Sequence, residues 1–179
     1  MSLAEQLWNG WKQFPNWWGK YWGIDWETAA QDMKDAEWTN GVIGPFIITD
    51  VAPQLGCKTR LEISGKRDKR TRADFVLVKD EREAAIIEHE NYPQYVLEEV
   101  SKKLLQSKSP LKSVITYAPE PDLDELAKDI HRRVSERGDG AEWLLIGGVH
   151  AQIAGIVRMK DPSAWAGWII TKDMRKRVA

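Results

Sequence analysis

Arg72-Ala73-Asp74-Phe75-Val76-Leu77-Val78 and Ala84-Ala85-Ile86-Ile87-Glu88-His89-Glu90-Asn91 decide how this chain folds. Both are short apolar runs of strand length. Between them lies only Lys79-Asp80-Glu81-Arg82-Glu83, a charged stretch of hairpin-loop length. A fold about Glu81 sets Asp74 opposite Glu88. Side chains alternate along a strand, so Glu88 and Glu90 share a face and His89 points away. Directly opposed side chains have Cβ atoms roughly 4.5–5.5 Å apart, where like charges repel. Three carboxylates ending two apolar strands call for a counter-charge, most simply a hard divalent cation.

Working outward, Lys58 to Ile63 reads as a strand that Ser64-Gly65-Lys66-Arg67-Asp68 turns into the Asp74 strand. After Glu90, Asn91-Tyr92-Pro93 opens a helix with Val96, Leu97, Val100 and Leu104 at core spacing, ending near Lys108. Leu111 to Ala118 is the next strand, and Leu123 to Arg137 an amphipathic helix broken at Gly138. Trp143 to Val149 is a continuous apolar run suited to a buried strand. Gly155 to Met159 and Trp165 to Thr171 are candidate edge strands, and the basic tail from Lys172 to Arg177 reads as helical. Upstream, Asp25 resembles a cap for a helix running to Asn40-Gly41, and Val42 to Val51 reads as a short apolar, extended segment. The sum is an α/β domain: helix, three strands joined by tight turns, helix, strand, helix, strand, with a mixed sheet covered on both faces.

The 179 residues are most economically one domain with a real core. Within it, 1–24 forms a Trp-rich segment packing on or extending the core of 25–179. Most of the ten tryptophans fall in the first forty residues. Leu3, Leu7, Trp8 and Trp11 fit one helical face, Pro15 interrupts it, and Trp18 and Trp22 restart a similar spacing. Such a stripe reads first as a packed face. Base stacking, a protein partner or an interfacial helix are the sharper options.

With a formal net charge of -1, nothing global advertises nucleic acid. Lys58, Arg60, Lys66, Arg67, Lys69, Arg70 and Arg72 nevertheless crowd the segment before Asp74, a density suited either to phosphate capture or to a solvated hairpin tip. Cys57 is the only cysteine, which rules out an intrachain disulfide and a cysteine-based zinc site. The start lacks a basic head and apolar core, and no run approaches a membrane span of roughly 20 apolar residues. The expected setting is therefore cytoplasmic, with no membrane partner.

This order of elements, with Asp74 and Glu88-His89-Glu90 on adjacent hairpin strands, resembles the PD-(D/E)xK superfamily of restriction-endonuclease-like nucleases over roughly Trp26 to Val149. Two positions depart from the pattern. Ala73 stands where a proline is usual, and Glu90 where the family lysine falls. The resemblance implies a Mg²⁺- or Mn²⁺-dependent nuclease acting on DNA. In it Asp74 anchors the metal, Glu88 holds it from across the hairpin, the His89 backbone carbonyl adds a ligand, and Glu90 binds a second ion or orients the attacking water. Glu62 or an acid of the first helix, Glu37 or Glu27, are further ligand candidates. The missing lysine can arrive from the next helix, as Lys102 or Lys103. Gln94 and Tyr95 would lie near substrate, with Tyr95 equally readable as core. Lys66, Arg67, Lys69, Arg70, Arg72, Gln94, Lys102 and Lys103 are thus the candidate nucleic-acid contacts. If neither Glu90 nor a relocated lysine serves, the alternative is a non-catalytic nucleic-acid or protein interaction module. Palindrome-reading relatives are two-fold dimers, so a homodimer stays open, although no dimer surface is legible.

Three residues read as structural. His89 faces the core, His131 sits among charges on a helix, and His150 ends a buried strand. Gly147-Gly148 lacks phosphate-loop spacing and reads as a strand-end bend.

Overall fold

The computed structural model describes residues 1–21, 39–61, 73–149 and 164–178. Several sequence expectations lie outside these residues: Glu62, Lys66, Arg67, Lys69, Arg70, Arg72, Glu27, Glu37, His150, Trp22, Trp26, Trp38, the helix capped by Asp25 and the strand from Gly155 to Met159.

The chain builds one mixed α/β fold around a seven-stranded sheet whose strands are neighbours in sequence order. They are β1 (Lys58–Leu61), β2 (Phe75–Lys79), β3 (Arg82–His89), β4 (Leu111–Tyr117), β5 (Glu142–Gly148), β6 (Trp165–Ile170) and β7 (Arg175–Val178). β1 to β3 form an antiparallel meander. β3, β4 and β5 run parallel, and β6 and β7 return antiparallel. The parallel steps are bridged by α4 (Pro93–Lys102) and α5 (Glu120–Arg137). Two right-handed crossovers stepping the same way along a sheet leave both helices on one face. There Val96 and Val100 of α4, and Leu123, Ala127, Ile130 and Val134 of α5, pack on Val76, Ile86, Val114 and Leu145.

The other face is covered by the N-terminal third. α1 (Leu3–Trp11) opens with a capping box between Ser2 and Glu5. α2 (Phe14–Tyr21) accommodates Pro15 in its first turn. Trp8, Trp11, Phe14 and Trp17 are buried against Phe46 and Trp165, with ring centroids of Trp11, Phe14 and Phe46 5.0–5.8 Å apart.

The segment read as extended over Val42 to Val51 is helical. Residues 39–54, here α3, alternate wide π-turns (Thr39–Ile43, Ile47–Val51) with α-turns (Gly44–Phe46, Ala52–Gln54). Val42, Ile43, Phe46, Ile47 and Val51 line its buried face at helical spacing. Pro45 and Pro53, which bring no N–H, sit inside this helix.

Two further expectations are corrected at the far end of the sheet. Trp165–Ile170 is an interior strand between β5 and β7 rather than an edge. The basic tail is strand β7 rather than helix, because Arg175 and Arg177 reach Asp124 and Glu120 of α5 from an extended backbone. Charged residues on such a strand also discourage pairing with another chain. No helix among the described residues is long and apolar enough to cross a membrane.

Gly147 and Gly148 are paired strand positions, not a bend: Gly147 lies level with Thr116 and Ala166. A Cβ at Gly147 would stand 2.4 Å from Leu123 Cδ1 and 2.8 Å from Cδ2. The bare backbone therefore lets α5 close on β5. Gly147→Ala is expected to destabilise by about 1–3 kcal/mol through overpacking, read as a lower urea midpoint at unchanged m.

Candidate acid and lysine site

The hairpin between β2 and β3 is tighter than its sequence suggests. Its turn is Asp80-Glu81 alone, both at positive φ (48° and 63°), as a two-residue type I′ turn requires. Taken by itself this turn would set Asp74 level with Ile87. A β-bulge at Leu77/Val78 shifts the pairing by one, from Val78↔Glu83 to Leu77↔Ala85 and Phe75↔Ile87. One further step of that register brings Asp74 level with Glu88, on the face covered by α4 and α5.

Asp74 sits at the sheet rim, exposed as a residue, yet its carboxylate turns inward and Oδ2 accepts from His89 N at 2.9 Å. Glu88 is only 2% exposed. Burial pushes its carboxyl up to about 9, the Asp74 charge adds to the rise, and Lys103 only partly offsets it. Asp74 is also raised, chiefly by burial, and the His89 N–H, Lys103 and a hydrogen bond from Glu88 moderate this. Without a cation, burial and the neighbouring Asp74 charge thus favour the protonated form of Glu88. Among the described residues no N–H or O–H reaches Glu88 Oε1.

The fourth party is Lys103, at the end of α4. Its Nζ lies 3.1 Å from Glu88 Oε2 and 2.5 Å from Glu99 Oε2. Burial works against its charge, but Glu88 and Glu99 outweigh burial and leave its pKa raised, so it is an ammonium at neutral pH. Lys102, the other candidate from the sequence, is exposed and pairs with Glu98 on the surface. Glu99 escaped the sequence reading. Its signal was the i,i+4 spacing to Lys103 on a helix facing the acids.

Glu90 follows β3. Its N–H continues the ladder to Ile115 O at 2.9 Å, and its Oε1 accepts from Tyr92 N at 2.9 Å in the turn before α4. Burial raises its pKa, and the charges of Glu99 and Asp74 act in the same direction. His89 points to the opposite face. Its ring nitrogens are 2.8 Å from Thr39 Oγ1 and 2.8 Å from Tyr117 OH, and burial drops its pKa to about 3, so it is a neutral, satisfied core histidine. Gln94 is exposed in the first turn of α4. His131 is half-buried on α5.

Among the described residues no group of three or more His, Cys, Asp and Glu side chains is arranged to hold a metal ion. The donor chemistry of the Asp74–Glu88 pair still fits a hard cation: carboxylate oxygens, one of them buried without a donor. Mg²⁺ commonly uses one or two carboxylates and retains several waters, so two acids are a sufficient protein share.

Comparison with protein-family models, curated proteins and solved structures yields no match. The class is therefore the one that fold and site define, a mixed α/β protein with a buried acid pair and a lysine at the sheet edge.

Proposed function

We propose that this protein is a Mg²⁺-dependent nuclease that hydrolyses phosphodiester bonds of DNA on a restriction-endonuclease-like version of the α/β fold. One observation carries the reading: the Lys103 ammonium arrives from the helix after the acids and stands 3.1 Å from Glu88 Oε2. It offers the cation that Glu90 replaces in the resembled pattern.

When bound, the ion polarises the phosphate and eases ionisation of the attacking water. Asp74 and Glu88 hold it, and Glu88 must surrender its proton to do so. Lys103 then faces the phosphate oxygens, where negative charge grows as the bond breaks. Glu90, kept in place by Tyr92 N–H, accepts the proton of the incoming water. The basic residues from Lys66 to Arg72 precede Asp74 in sequence and supply charge for a polyanion.

A non-catalytic interaction module on the same fold is the second reading. It is favoured by a carboxylate, Glu90, standing where the resembled pattern has its lysine and being engaged with Tyr92 N–H in the turn before α4.

Two lysines adjacent in sequence separate these readings. Lys103→Met is expected to lower kcat for DNA cleavage by about 100-fold, as loss of a charge-stabilising donor does, while Lys102→Met stays within about threefold. Equal effects of the two would remove Lys103 from the chemistry. A Mn²⁺-soaked crystal should show density between Asp74 and Glu88. No hydrolysis under any divalent ion, with oligonucleotide binding intact, would establish the module instead.

A further inference from the structure

Large apolar side chains are few on the described surface, and two of them touch. Tyr92 is 48% exposed and Tyr95 51% exposed, and their rings meet edge to face with centroids 6.2 Å apart. Tyr95 was equally readable as core from the sequence, and its exposure settles that point. Two half-exposed aromatic rings side by side offer flat apolar area to a ligand.

The pair is also placed by the candidate site. The Tyr92 backbone donates to the Glu90 carboxylate, and Tyr95 N bonds back to Tyr92 O at 3.0 Å. From Tyr95 the i,i+4 stripe of α4 continues to Glu99 and then to Lys103. Along the helix axis Tyr95 therefore stands about 6 Å from Glu99 and about 12 Å from Lys103.

We infer that Tyr92 and Tyr95 form a stacking platform for an unpaired base of the nucleic acid whose backbone lies at the Asp74–Glu88–Lys103 site, so that the substrate is single-stranded or frayed DNA. The inference rests on the nuclease reading for what occupies that site. The edge-to-face arrangement keeps the two rings from covering each other face to face, and every base has a π-face to lay on an aromatic ring. Bases inside a duplex are already stacked and present only their edges in the grooves. The platform thus discriminates between the two forms of DNA, while phosphate contacts do not.

The test measures the affinity of a fluorescent oligothymidylate and of a hairpin duplex of equal length by anisotropy, with Mg²⁺, in an Asp74→Ala background so that nothing is cut. Tyr92→Ala and Tyr95→Ala should each weaken single-strand binding about 5- to 100-fold, and Tyr→Phe at either position should restore it to within about twofold. Duplex binding should move by less than about twofold. An equal loss for both forms, no loss for either, or no single-strand binding by the parent overturns the platform. Failure of the nuclease reading looks different: the uncut chain with intact Asp74 shows no hydrolysis while the tyrosine dependence of single-strand binding persists. If cleavage occurs and Tyr95→Ala leaves the ratio of single-strand to duplex kcat/KM unmoved, the platform alone is wrong.

Discussion

Asp74→Ala and Glu88→Ala should each abolish Mg²⁺-dependent DNA cleavage, with a loss of at least about 10³-fold in kcat/KM. That corresponds to the several kcal/mol of charge stabilisation that a bound ion contributes. Both residues stand at the end of a paired strand, and neither helps to fill the apolar clusters of the two faces. Far-UV circular dichroism and a cooperative melt should therefore persist in both variants, which separates lost chemistry from lost fold. Asp74→Ala gives up one hydrogen bond, from His89 N, at the end of β3. Cleavage preserved in both variants would end the nuclease proposal. A loss confined to Glu88→Ala would instead point to Lys103, left with Glu99 alone, as the group that matters.

The second large effect concerns stability. Glu88 holds its proton to about pH 9 in the folded, cation-free protein, against an ordinary glutamate value of 4.5. Between those two values the unfolded chain has released the proton and the folded chain has not. Unfolding therefore releases a proton, and stability falls as pH rises through this window, by up to about 1.4 kcal/mol per unit. Glutamine has nearly the same shape and cannot ionise. Glu88→Gln should accordingly be more stable than the parent in chelator at pH 8, by a few kcal/mol or roughly 5–15 °C in Tm. Near pH 5 the two should converge. Saturating Mg²⁺ should reverse the order at pH 8, because a ligand bound only by the folded parent stabilises only the parent. Melts from pH 5 to 9, with chelator and with Mg²⁺, read this directly. A parent whose stability rises with pH in chelator would show that Glu88 is ionised in the folded state and that Lys103 prevails over burial.

The two effects share one cause. Asp74 and Glu88 are brought together without enough opposing charge, since Lys103 divides its attention between Glu88 and Glu99. Deprotonation of Glu88 is uphill until a cation arrives. Under the nuclease proposal, this strain in the cation-free protein is stability traded for readiness to bind.

The sequence by itself determined the layout of strands and helices from β2 to β5. Apolar runs bounded by turn residues, Pro93 at a helix start and Gly138 at a helix end are local signals, and local geometry obeyed them. It also put the acids on adjacent strands and turned His89 away from them. It did not disclose α3, because Pro45 and Pro53 inside that segment read against a helix. Nor could it disclose β7, whose basic residues take an extended path because β6 pairs with them and Asp124 and Glu120 of α5 lie beside them.

The tertiary structure alone decided two matters at the site. One is how the pairing of Asp74 with Glu88 is reached: the fold about Glu81 read from the sequence is in fact a two-residue turn, which alone would set Asp74 level with Ile87, plus a bulge at Leu77/Val78 that shifts it by one residue. The other is which lysine serves. Lys102 and Lys103 are indistinguishable as letters, but a rotation of about 100° per residue along α4 sends one to solvent and the other to Glu88. Composition and spacing name the groups available; the packing of α4 on the sheet determines which of them meet.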